Sequence, residues 1–180
     1  MKKFLLSLAA LTLVFALAAC SSSDENKTEE KDTKKTEEEA AAPKADVKKE
    51  LVKFYNELAT KVNAKDGDLN AYAAKAAKKD PKPEDLPTAE DRAKASESAA
   101  AVAAELNNTQ IPAELKDHQA DLEAALKEYA ASYQAKADEL KKDAPNFEAA
   151  DTTFANAEEA FGKVFEAEKL FPPSLGAQVE

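Results

Sequence analysis

Histidine and cysteine, two residues common in metal sites and catalytic centres, each occur once in the 180 residues of the chain. His118 has Glu114 four residues before it and Asp121 three residues after it, so in a helix both carboxylates lie beside the imidazole. Such a group could bind a metal ion or carry a proton, whereas the structural alternative is a half-buried histidine steadied by acids. One histidine with two carboxylates does not specify a metal. We therefore keep these three residues as ligand candidates and predict neither a metal site nor a cofactor.

A second polar cluster resembles the start of an EF-hand calcium loop. Asp66, Asp68 and Asn70 have the spacing of the first three ligands of that loop. Ala71 and Ala77 then stand where the motif has glycine and glutamate. We predict a polar turn at a helix end here, and no calcium site.

Sequence signatures of catalysis are missing from the chain. It contains no glycine-rich phosphate loop, no G-x-S-x-G and no H-E-x-x-H. Carboxylate pairs such as Glu158/Glu159 are typical of a solvated acidic helix surface. The formal net charge is -10, which disfavours binding to nucleic acid phosphates. We predict that the protein is not an enzyme and does not bind nucleic acid.

The cysteine follows an N-terminal apolar segment. Lys2 and Lys3 precede the apolar residues 4–19, a length typical of a signal peptide and short for a membrane span. The segment ends in Leu17-Ala18-Ala19-Cys20, which resembles the lipobox of bacterial lipoprotein precursors. The resemblance implies cleavage between Ala19 and Cys20 and transfer of a diacylglyceryl group to the Cys20 thiol. An ordinary secretory signal is the alternative, because Ala16-Leu17-Ala18 also fits a cleavage site with small residues.

Three regions follow from this interpretation. Residues 1–19 are predicted to be a lipoprotein signal peptide, and residues 20–43 the lipidated cysteine and a disordered tether. Residues 21–43 contain no aromatic residue and no Leu, Ile, Val or Met, so they cannot bury enough apolar surface to offset the entropy of ordering. Residues 44–180 are predicted to be the folded domain.

Helical periodicity dominates that domain. Apolar residues recur at spacings of three and four in segments 44–65, 88–106, 112–142 and 146–170, and a shorter helix is predicted at 69–79. Thr88 is a predicted N-cap, with Asp91 completing a capping box. Short connections between long helices favour antiparallel neighbours. The predicted fold is all-α, an antiparallel up-down helical bundle with three to four main helices.

The last helix carries three phenylalanines seven residues apart. Phe147, Phe154 and Phe161 alternate with Ala150 and Ala157, the pattern of a packed helix seam. We predict that this seam lies in the core, and a ligand groove is the alternative.

The predicted function follows from the lipobox together with a helical body that lacks catalytic groups. We expect a lipoprotein anchored to the cell membrane through Cys20, on the extracytoplasmic face, that acts as a binding or interaction module of the cell envelope. Its expected partner is an envelope protein or the cell wall. The alternative is a lipoprotein that binds a small molecule or a metal ion.

Overall fold

The structure, a computed structural model, describes residues 44–179, with side chains from residue 46 onward. The predicted signal peptide, the Ala19–Cys20 cleavage site and the tether lie outside the described residues. None of the helices within the described range is both long and apolar enough to cross a lipid bilayer.

Five α-helices and two short 3-10 turns make up the described chain, which contains no β-strand. The α-helices are α1 (Lys44–Asn63), α2 (Gly67–Ala76), α3 (Ala89–Asn107), α4 (Gln119–Glu139) and α5 (Glu148–Ala167). The 3-10 turns are Pro83–Asp85 and Ala113–His118. The predicted all-α fold is confirmed.

The first arm of the bundle consists of α1 and α2 in succession, both antiparallel to α3. Three contacts show this antiparallel course, because later residues of the first arm meet earlier residues of α3. They join Lys61 Nζ to Glu105 Oε1 (3.4 Å), Leu69 N to Ser98 Oγ (3.3 Å) and Lys75 Nζ to Asp91 Oδ1 (2.7 Å). Helix α4 packs against α3, and α5 packs against both α4 and α1. Residues 44–179 therefore form an up-down-up-down bundle whose first arm is interrupted at residues 64–66.

Helix α3 begins with the predicted cap and packs through a face of mostly small residues. Asp91 N donates to Thr88 Oγ1 (3.1 Å), and Thr88 N donates to Asp91 Oδ2 (2.9 Å). The inner face, built from Ala95, Ala99, Val102, Ala103 and Leu106, is buried. The buried Ser96 hydroxyl donates to the Ala137 carbonyl on α4 (2.7 Å). This hydroxyl therefore lies between the closely packed helices α3 and α4 with its hydrogen bond satisfied.

The predicted helix 112–142 begins later than expected. Residues 113–118 form the second 3-10 turn, and Leu115 has non-helical angles (φ -98°, ψ 16°). Leu115 is fully buried. The turn packs against α1. Burial of the Leu115 side chain in the core outweighs the local preference of these residues for a regular α-helix.

Helix α5 ends in a hydrogen-bonded turn that sends the chain back along the bundle. Lys169 adopts a left-handed conformation (φ 57°), and Leu170 N donates to the Phe165 carbonyl (2.9 Å), as in a Schellman motif. Pro172 then lies against Gly162, where an added Cβ would be 3.2 Å from the Pro172 Cβ. Residues 171–179 therefore run antiparallel to α5 as a C-terminal segment without regular secondary structure.

Candidate functional site

A cavity of about 200 Å³, here called the aromatic groove, lies between α2, α4, α5 and the C-terminal segment. Its walls carry the rings of Tyr72, Tyr133, Phe147 and Phe154. The Tyr72 and Phe147 rings meet edge to face at 6.5 Å between centroids, and the Tyr133 and Phe154 rings do so at 6.1 Å. Edge-to-face packing of this kind holds the walls of the groove in place.

The three phenylalanines of the predicted seam, Phe147 at the start of α5 and Phe154 and Phe161 within it, have different environments. Phe161 is 1% exposed and lies in the core, as predicted. Phe147 and Phe154 are only partly buried and line the groove. The C-terminal part of the seam, at Phe161, therefore belongs to the core, whereas its N-terminal part, at Phe147 and Phe154, lines the groove.

Lys136 supplies the positive charge at the groove. Its Nζ lies 6.0 Å from the centroid of the Tyr133 ring and 5.7 Å from that of the Phe154 ring, within cation–π range. The same Nζ is 2.9 Å from Asp151 Oδ1. The Lys136 side chain is 23% exposed and that of Asp151 61%, so a half-buried ammonium is paired with a largely solvated carboxylate.

The C-terminal segment forms one wall of the groove. Gly176 N donates to Glu158 Oε1 (3.0 Å), and Asn70 Nδ2 donates to the Val179 carbonyl (3.1 Å). A Cβ at Gly176 would lie 3.3 Å from the Phe154 ring, so glycine at this position lets the backbone pack closely against that ring. Leu175, fully buried, anchors the segment. Sequence reasoning missed this wall because residues 171–179 show no helical or strand periodicity.

The cluster that resembles a calcium loop is a helix start. Asp66 precedes α2, whereas Asp68 and Asn70 lie inside that helix, so these polar residues stand at a helix start and not in the predicted turn. Asp66 is 2% exposed, and its Oδ2 has no hydrogen-bond partner. Burial raises the pKa of the Asp66 carboxyl, while the Asn70 amide opposes this effect.

His118 is paired with an acid that sequence reasoning did not select. Its Nε2 lies 2.8 Å from Glu168 Oε1, and the two side chains are 14% and 19% exposed. Glu114 and Asp121 are exposed, and neither forms a hydrogen bond with His118. Within residues 46–179, no group of three or more His, Cys, Asp or Glu side chains is close enough to bind a metal ion. The pair joins the start of α4 to the end of α5, which is a structural role.

A double-mutant cycle measures the strength of this contact. We expect His118→Gln, Glu168→Gln and the double variant to show a coupling of about 0.5–1.5 kcal/mol in the free energy of unfolding, because a half-buried hydrogen bond joins the two helices. Urea denaturation followed by circular dichroism gives the four values. A matched cycle on the exposed pair Lys163–Glu159 should give a smaller coupling. If the effects of His118→Gln and Glu168→Gln on the free energy of unfolding were strictly additive, this would contradict an interaction between the two side chains.

Comparison with known proteins adds no relative to this description. The chain matches no known family model, no curated protein and no solved structure.

Proposed function

We propose that the protein is a lipoprotein held at the extracytoplasmic face of the cell membrane by a lipid on Cys20, and that its helical body serves as a binding module of the cell envelope. The observation that carries this proposal is the motif Leu17-Ala18-Ala19-Cys20 after an apolar segment, with Cys20 the only cysteine of the chain. Two acyl chains provide stable membrane anchoring, whereas a single chain binds only marginally.

The direction of the first arm supports a role in binding. Helix α1 begins at Lys44, where the proposed tether ends, and its 20 residues extend about 30 Å. Helix α2 continues beyond the far end of α1 and lines the aromatic groove. A body attached at Lys44 would therefore carry the groove at the end remote from its point of attachment.

Two kinds of partner fit such a module. An envelope protein or the cell wall would bind the surface of the bundle. A small molecule would bind in the aromatic groove, and the four rings around a cavity with one cation favour this second candidate.

Substitution of the cysteine tests the anchoring. We expect Cys20→Ala to abolish incorporation of a palmitate label and to move the protein from the membrane fraction to the medium, or to leave it as the uncleaved precursor. The acceptor thiol is then absent, and no lipid can be attached. Fractionation of the producing bacterium, with mass spectrometry of the mature N-terminus, gives the result.

The neighbouring substitution Ser21→Ala is the matched control and should leave labelling and fractionation unchanged. A Cys20→Ala protein that is cleaved normally and still remains in the membrane fraction would overturn the lipid-anchor proposal.

A further inference from the structure

We propose that the aromatic groove binds a small free molecule with an apolar body and one carboxylate, with Lys136 holding the carboxylate. This inference deepens the binding role proposed above and rests on it.

The size and lining of the groove define the apolar part of the ligand. An apolar protein cavity of about 150 Å³ is large enough to bind benzene. The groove, at about 200 Å³, has room for one six-membered ring with a short side chain. The rings of Tyr72, Phe147 and Phe154 offer such a body apolar contact on several sides.

The arrangement of charge defines the polar part. Lys136 has three N–H donors, and Asp151 Oδ1 at 2.9 Å is the partner that the structure gives its Nζ. Because the Asp151 side chain is 61% exposed, its hold on the ammonium is weakened by solvent. A ligand carboxylate held between the rings and Lys136 would form a charge-assisted hydrogen bond in a less hydrated site.

The position of the charge fixes the orientation of the ligand. Lys136 is the one cation among the residues that line the groove, and Leu69, Tyr72 and Ala73 of α2 offer apolar contact. The apolar body therefore lies against α2, and the carboxylate lies at Lys136. A cationic ligand is disfavoured because the rings already hold the Lys136 ammonium.

Fluorine NMR with a matched pair of probes tests the proposal on the full chain held in phospholipid nanodiscs. The acid 4-fluorophenylacetate should bind with a Kd of about 1 mM or tighter, the range expected for a ligand of this size. Its neutral amide, 4-fluorophenylacetamide, should bind at least about tenfold more weakly. Empty nanodiscs give the blank for partition of either probe into lipid.

Variants locate the site. Lys136→Met keeps the apolar stem and should weaken binding of the acid about tenfold while leaving the amide unchanged. Ala73→Phe places a ring in the groove and should abolish binding of both probes. Lys163→Met is the matched control, since this lysine pairs with Glu159 on the exposed surface of α5, and it should bind both probes as the wild-type chain does. Circular dichroism melts show that each variant is folded.

Three results would overturn the inference: equal binding of acid and amide, no binding of the acid, or tighter binding of 4-fluorobenzylamine than of the acid. The Cys20→Ala chain, measured in buffer without nanodiscs, should bind the acid with unchanged affinity. Failure of ligand binding would thus leave the lipid anchor standing, and failure of the anchor would leave the affinity of the groove unaffected.

Discussion

Replacing Phe161 by alanine is expected to lower the free energy of unfolding by about 3–5 kcal/mol, which is a large share of the stability of a single domain. Phe161 is 1% exposed. Its ring lies within 5.7–6.3 Å of four others, measured between centroids: Phe54, Tyr55, Tyr129 and Phe165. These rings belong to α1, α4 and α5, so the substitution opens a cavity where three helices meet. Urea denaturation followed by circular dichroism measures the loss.

Two other phenylalanines calibrate this result. Phe154→Ala should cost less, because that ring is only partly buried and already faces the groove. Phe171→Ala should have almost no effect, because its side chain is 95% exposed. The expected order of destabilisation is Phe161, then Phe154, then Phe171. A loss at Phe154 equal to that at Phe161 would contradict the division of the seam between core and groove.

A steep loss of stability is expected above about pH 10, the usual pKa of a tyrosine phenol. Burial raises the pKa of Tyr55 to about 12. Burial also raises the pKa of Tyr129 and of Tyr133, and the nearby Glu158 carboxylate adds to the rise at all three phenols. The three buried rings therefore stay neutral in the folded protein after they have ionised in the unfolded chain.

The sign of the effect follows from proton linkage. Above about pH 10 the unfolded chain binds fewer protons than the folded protein, so the free energy of unfolding falls as the pH rises. Each such phenol contributes about 1.4 kcal/mol per pH unit until its folded-state pKa is reached. Three phenols together remove roughly 4 kcal/mol per pH unit, enough to unfold a typical domain within about two units.

A variant without these hydroxyls tests the prediction. The triple substitution of Tyr55, Tyr129 and Tyr133 by phenylalanine should lose much less stability than the wild-type chain between about pH 9 and pH 11. The change at Tyr55 is expected to cost little at neutral pH, because its buried hydroxyl has no hydrogen-bond partner. Urea midpoints at each pH provide the comparison. Equal losses in the two proteins would show that other groups cause the alkaline unfolding.

The amino-acid sequence by itself determined the fold class and most of the helix positions. Spacings of three and four between apolar residues and the Thr88–Asp91 capping box are local signals, readable within one or two helical turns. The five predicted helical segments correspond to α1–α5, and their ends differ by a few residues. The exception is residues 112–118, which were predicted to be helical and precede α4. The proposals on Cys20 also come from the sequence, because the motif is contiguous.

Only the tertiary structure decided which residues from different helices contact each other across the bundle. The His118–Glu168 pair joins residues 50 positions apart, and the Asn70–Val179 contact joins residues 109 positions apart. No local period encodes such pairings, which depend on how helices of similar apolar pattern are rotated and staggered. The same packing buries Phe161 while leaving Phe147 and Phe154 at the groove, although the three share one spacing. It also draws Leu115 out of a regular helix, because burying an apolar side chain stabilises the fold by more than the local helical preference it overrides.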